Sequence, residues 1–190
     1  MNESRTIRVR SVVMTAFFAA VIFLGIQSFR VPLPAAVGTP FLHFGHIFVM
    51  LAILCLGPKR SAVAGVLGLV IFDLLNGYIH SIPNVFFSTL VKCLLVGWVF
   101  RLLKQKADGE SKKLLGYAVI CALLYGGTNI ALDFAWSVGE LMLMGSSIQA
   151  AVAAEITSIP ATIINAGFTV IGTALLYLPV SGAYGRIAEK

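Results

Sequence analysis

Asp133 lies in the segment "GTNIALDFAWSVGE" (127–140), which is otherwise suited to a greasy environment. A charge near the centre of a membrane helix costs at least roughly 2.5–3.5 kcal/mol, so it normally meets a cavity or a partner. Lys92, in "PNVFFSTLVKCLLVGW" (83–98), poses the same problem. Residues three or four apart share a helix face, and on that spacing three polar series emerge. Asn84, Ser88 and Lys92 form the first, and Tyr125, Asn129, Asp133 and Trp136 the second. Ser158, Thr162, Asn165 and Thr169 form the third. Amides, hydroxyls, an ammonium and a carboxylate around one hollow would hold the polar edge of a small molecule. Trp136 would either stack on a flat ring or anchor the chain at headgroup level. For each Ser, Thr and Asn the plainer reading is a hydrogen bond between helices, worth about 0.6 kcal/mol on average. For Lys92 the plainer reading is counter-charge to Asp73 or Asp133.

Other polar residues carry less. Asp73, in "FDLLNGY", can brace the loop that follows it, and Glu155 can be solvated at a helix mouth one turn before Pro160. His43 and His46, in "HFGH", have a spacing that metal ions use, but no third ligand stands near them in the sequence, so no metal site is expected. Cys55, Cys93 and Cys121 lie inside apolar runs without a CxxC pair and read as free thiols in helix packing.

The elements that must position these groups follow from composition. The 190 residues are 58% hydrophobic and 12% charged, against about 25% charged in a soluble domain. That is too little charge to cover a water-facing surface, so the chain belongs to the membrane class. Apolar runs cover 11–29, 43–56, 61–78, 84–103, 114–137 and 150–178. In lipid every backbone group must be satisfied within its own segment. The expectation is therefore an all-α membrane protein, one six-transmembrane-helix bundle over residues 1–190. The second run is short, and the last is interrupted by Pro160, which favours a kink. "RVPLPAAVGTP" (30–40) holds three prolines and cannot be a regular helix. "GPKR" (57–60) reads as a tight turn, "KQKADGESKK" (104–113) as a polar loop, and "GSS" (145–147) as a serine-capped helix start. The first run exceeds a signal-peptide core of about 7–15 residues and reads as a retained helix.

Arg5, Arg8, Arg10, Lys59, Arg60, Arg101, Lys104, Lys106, Lys112, Lys113, Arg186 and Lys190 all fall on one side of this six-span path. Lys- and Arg-rich flanks stay in the cytoplasm, which places both termini there. The net charge of +6 then answers to anionic lipid headgroups, and nucleic acid is excluded as a partner. At 1.5 Å per residue Lys92 lies about 13 Å below the outer end of its span, Asn129 and Ser158 about 12 Å, and Asp133 about 6 Å. The three polar series therefore meet at similar depth, nearer the outside.

The order of motifs resembles a known family. An apolar helix, a "GPK" turn, a Gly-rich helix ending in Asp, and a Lys in the fourth span run through "HFGHIFVMLAILCLGPKRSAVAGVLGLVIFDLLNGY" and "PNVFFSTLVKCLLVGW". With a Pro-rich first outer loop and Ala16-x-x-x-Ala20 in the first span, the chain resembles the S component of an energy-coupling factor (ECF) vitamin transporter. The similarity is to the riboflavin, hydroxymethylpyrimidine and pyridoxine-type branch. It implies capture of a vitamin from outside, in a pocket of the later spans, at the cell membrane of a prokaryote. It also implies a transmembrane coupling subunit and two ABC-type ATPases as partners, with Ala16 and Ala20 docking on the coupling subunit. The loop from Arg30 to Phe41 would be the gate, and the whole subunit would topple to deliver its cargo.

Two absences agree with that resemblance. The sequence has no G-x-x-x-x-G-K-[ST] phosphate loop, so ATP is hydrolysed elsewhere and no cofactor is expected on this chain. No internal repeat of the kind common in stand-alone carriers is visible. Asp133, Asn129, Trp136 and Lys92 suit a flat, nitrogen-containing ring with hydroxyl groups. Pyridoxine or hydroxymethylpyrimidine is favoured as cargo, with riboflavin next. A stand-alone carrier or channel is the alternative. An intramembrane enzyme is the weaker rival, because H-E-x-x-H, G-x-S-x-G and GxGD-type motifs are missing. Ala64-x-x-x-Gly68 serves either internal packing or docking of another subunit.

Overall fold

The apolar runs fold as helices, the only open-ended element that satisfies its own backbone in lipid. The computed structural model describes residues 3–36 and 38–189, and the side chains of 9–36 and 38–187. Lys190, Val37 of the Pro-rich segment, and the side chains of Arg5 and Arg8 lie outside the described residues. Helix α1 (Glu3–Gln27) leads into strands β1 (Arg30–Pro32) and β2 (Phe41–His43). Helices α2 (Gly45–Leu56) and α3 (Pro58–Asn76) follow, then a 3-10 turn (Ile79–Ser81) and α4 (Ile82–Gln105). The chain ends with α5 (Ser111–Leu143), α6 (Ile148–Ile156) and α7 (Ile159–Glu189).

This is an all-α membrane protein. Among the described residues four stretches are long and apolar enough to cross a bilayer: Val9–Gln27, Ile79–Gln105, Ser111–Leu143 and Ile159–Ile187. The other two expected spans differ in character. Helix α2 has 12 residues, about 18 Å at 1.5 Å per residue. It is apolar all round because it is the centre of the bundle: Val49, Met50, Ala52 and Ile53 are fully buried, and α2 touches α1, α3, α4, α5 and α7. Helix α3 carries Lys59, Arg60 and Asp73.

Small residues set the closest approaches. A Cβ on Gly68 would stand 2.7 Å from the Ala19 carbonyl oxygen, so α3 packs its small face directly on α1. Ala64 is fully buried in the same contact layer, so this motif serves internal packing. Ala16 and Ala20 point the other way, and both are exposed. Gly97 of α4 abuts Pro58, and Phe100 meets Tyr177 edge-on with 5.9 Å between ring centres. The α2–α3 junction, the end of α4 and the end of α7 therefore share one end of the bundle.

Three local features differ from the sequence expectation. The "GPKR" turn is the single residue Gly57, held at φ 78°, with Pro58 already in the first turn of α3. The last apolar run is two helices, not one kinked span. Pro160 cannot donate to the Ile156 carbonyl, and its ring would crowd that oxygen. The chain breaks at Thr157–Ser158, with Pro160 in the first turn of α7. Ser147 caps α6, its Oγ accepting from the Ala150 N–H at 3.3 Å. The Pro-rich segment is not helical, but it adds an unforeseen antiparallel ribbon, with Arg30 opposite His43 and Pro32 opposite Phe41.

Candidate functional site

A two-stranded ribbon is marginal by itself, so the hairpin needs anchors. The Asn165 side chain on α7 supplies two: its Oδ1 accepts from the His43 N–H at 3.0 Å, and its Nδ2 donates to the Phe41 carbonyl at 2.9 Å. Near the tip of the loop, the Ala36 N–H donates to Thr157 Oγ1 at 2.8 Å, at the α6–α7 break. At the base, Arg30 donates to Asn76 Oδ1 at 3.2 Å and lies over the Phe41 and Phe72 rings. The hairpin is thereby strapped from α3 to α7 across the end opposite the basic flank. Replacing Asn165 with Ala removes both central anchors, each worth about 0.5–1.5 kcal/mol. Amide hydrogen exchange at Phe41 and His43 is then expected to speed up about tenfold or more, while exchange within α2 stays as it was.

Beneath the hairpin lies a cavity of about 580 Å³, lined by the hairpin-side turns of α3, α4, α5, α6 and α7 and by Thr39, Pro40 and Phe41 of the hairpin. Its polar floor is a buried relay. Lys92 Nζ donates to Asn129 Oδ1, and Asn129 Nδ2 donates to Asp133 Oδ2 at 2.7 Å. Lys92 is 1% exposed and Asn129 4%. Among the described residues no ion pair joins Lys92 directly to Asp133 or Asp73; the Asn129 amide stands between the opposite charges of α4 and α5. Behind Lys92, its ammonium sits 5.2 Å from the centre of the Tyr125 ring, and Tyr125 Oη lies 3.0 Å from His46 Nδ1. Cation–ring attraction and the relay together hold the ammonium where water is scarce.

The three polar series are thus brought together in part. Asn84, Ser88, Lys92, Asn129, Asp133, Ser158 and Thr162 line the cavity. Tyr125 is fully buried one layer behind. Asn165 serves the hairpin instead of the cavity, and Thr169 donates to its backbone carbonyl at 2.8 Å. Trp136 is absent from the lining and stacks on Phe87 at 6.0 Å, and Phe87 is exposed, as an interface anchor is.

Other lining residues fall outside the three series. Ser137 and Glu140 continue the α5 series because α5 runs on to Leu143, past the expected end at 137. His43 and His46 belong to the cavity wall, their rings 4.7 Å apart, and no cluster of three metal-ligating groups occurs among the described residues. His43, in β2 outside the spanning helices, accepts the Gly45 N–H on Nδ1 at 3.1 Å, and burial with the nearby Lys92 charge lowers its pKa to about 3. It is a neutral imidazole at any physiological pH. Asp73 and Glu155 also line the cavity, each less than a tenth exposed.

A family model described as "ECF-type riboflavin transporter, S component" matches residues 6–181, nearly the whole chain. Among curated proteins no match is found.

Proposed function

The chain belongs to the family of ECF-type riboflavin transporter S components, and from that premise we propose how its cavity serves vitamin capture. The family is one of transporter components, not of enzymes, and membership makes this a multi-pass membrane subunit for vitamin uptake. The cavity under the hairpin is the cargo site. The cargo is a small, flat heteroaromatic vitamin or precursor. The observation that carries this is the buried Lys92–Asn129–Asp133 relay facing a hollow of about 580 Å³. A ring edge carrying both donors and acceptors answers an ammonium and a carboxylate held in fixed register. Pyridoxine and hydroxymethylpyrimidine carry such an edge on one ring. Riboflavin, which the family's description names, is the larger candidate. Asn84, Ser88, Ser158 and Thr162 complete the contacts, with Tyr125 and Asn165 supporting them from behind.

In this reading six crossings place both termini and the basic flank in the cytoplasm of a prokaryotic cell, and the cavity opens outward. A coupling subunit docks on the Ala16–Ala20 face of α1, which no other helix of the chain covers fully, and two ABC-type ATPases hydrolyse the ATP. Calorimetry on the purified subunit tests the reading: at least one of the three compounds is expected to bind at micromolar concentration or tighter. No heat from any of them would remove the cargo class. Co-purification with ATPase subunits tests the partners, and uptake into liposomes by this chain alone would favour a stand-alone carrier.

A further inference from the structure

Asp73 stands apart from the relay and is not accounted for by it. It sits in the last turn of α3, 6% exposed, and lines the cavity. Its backbone carbonyl is well used, accepting from the N–H groups of Gly77 and Tyr78 as α3 ends. Its side chain is not: Oδ2 is buried without a hydrogen-bond partner. Leaving a buried acceptor unpaired is costly, and such groups in native structures call for a missing partner. Arg30 stands on this side of the molecule, but it is exposed and donates to Asn76, and among the described residues no ion pair reaches Asp73.

The surroundings say which partner fits. Phe41 and Tyr78 line the same hollow, their rings 5.7 Å apart and inclined by 40°. Tyr78 stacks on Phe72, the neighbour of Asp73, at 5.9 Å. A carboxylate flanked by aromatic rings is the usual recognition chemistry for an organic cation. The make-up of the hollow points the same way: four carboxyl groups, those of Asp73, Asp133, Glu140 and Glu155, line it against one ammonium, that of Lys92. Carboxylates in a partly desolvated hollow raise the local concentration of cations.

We propose that Asp73, with Phe41 and Tyr78, forms a second binding pole that takes a positively charged nitrogen of the cargo. The proposal rests on the cavity being the cargo site, and it narrows that reading from flat heteroaromatic compounds to those bearing an aminomethyl or comparable cationic group. Lys92, Asn129 and Asp133 read the ring edge, and Asp73 reads the charge.

Pyridoxamine and pyridoxine make the test, because they differ by an ammonium in place of one hydroxyl. Calorimetry on the purified subunit is expected to give pyridoxamine about tenfold tighter binding, or more. Asp73→Asn is expected to abolish that preference while retaining pyridoxine binding, which also shows that the variant is folded. Equal affinities on the native protein, or a preference that survives D73N, overturn the second pole and leave cargo capture standing. Binding of neither compound overturns the pole and removes the pyridoxine-type compounds as cargo, leaving hydroxymethylpyrimidine and riboflavin to the three-compound calorimetry.

Discussion

Asp133→Ala is expected to weaken cargo binding by about tenfold or more and to leave the subunit folded. The carboxylate is half-buried and faces the cavity, and its Oδ2 accepts from Asn129 Nδ2 at 2.7 Å. That bond engages one oxygen, and the Asn84 side chain also bonds the carboxylate, so cargo would share it with two amides that line the same cavity. Hydrogen bonds to charged groups contribute about 1.5–3 kcal/mol, which is a factor of roughly ten to a hundred in affinity. The fold loses little. Alanine is the strongest helix former, position 133 lies well inside α5, and the space vacated adjoins a cavity that already exists. Asn129 keeps its contact with Lys92. Calorimetry gives the affinity, and a thermal melt in detergent gives the fold. An affinity within about twofold of native would make Asp133 a structural residue that happens to border the hollow.

What the sequence displays of this site depends on regularity. Helical periodicity exposes Asn84, Ser88 and Lys92, because α4 is an unbroken helix and its polar residues stand alone among apolar ones. The same rule misdirects at Trp136. Three residues on from Asp133 the face has turned by about 60°, while four residues on it has turned by only about 40° the other way. Ser137 keeps to the cavity side and Trp136 swings out to Phe87. Extending the series from Asn129 and Asp133 in steps of three and four reaches Ser137 and Glu140. The apolar run thins near 137 and so hides them, although a helix buried at its outer end need not stay apolar.

The hairpin is less legible for a different reason. Prolines 32, 34 and 40 forbid a helix, but local sequence holds no signal for a ribbon whose anchors are Asn165 and Thr157, more than a hundred residues away. Periodicity therefore makes Asn165 a cargo contact, whereas its amide is engaged by the hairpin on both sides. The break before Pro160 is visible as a disturbance, not as a boundary. Whether a proline kinks or ends a helix depends on what can satisfy the freed carbonyls, and here the Thr157 hydroxyl donates to the Ala154 oxygen at 2.6 Å. Helix α2 is the hardest to place. A short apolar helix fits either a thin membrane crossing or a central core, and only the five helices around it decide.

The double variant Lys92→Met, Asp133→Asn is expected to melt no lower than the native subunit and yet to bind cargo about a hundredfold more weakly, or worse. Both charges lie in a hollow where solvation is poor, and replacing buried ionic groups by neutral ones of similar size is often neutral or stabilising by about 1–4 kcal/mol. The methionine side chain would fill the channel that the lysine stem occupies, and an amide at position 133 would preserve the contact with Asn129. Lys92→Met by itself is expected to melt below the double variant, because Asp133 then keeps its charge without the ammonium beyond Asn129 that offsets it. Stability and binding thus separate. If Lys92 were only a counter-charge to Asp133, adding Lys92→Met would cost no binding beyond that of Asp133→Asn alone, so a double variant that binds cargo within about threefold of Asp133→Asn strips Lys92 of any contact with the ligand. If the relay exists for capture, the subunit tolerates two buried charges for the sake of a cargo that replaces their lost water, and neutralising them improves the empty protein while ruining the loaded one.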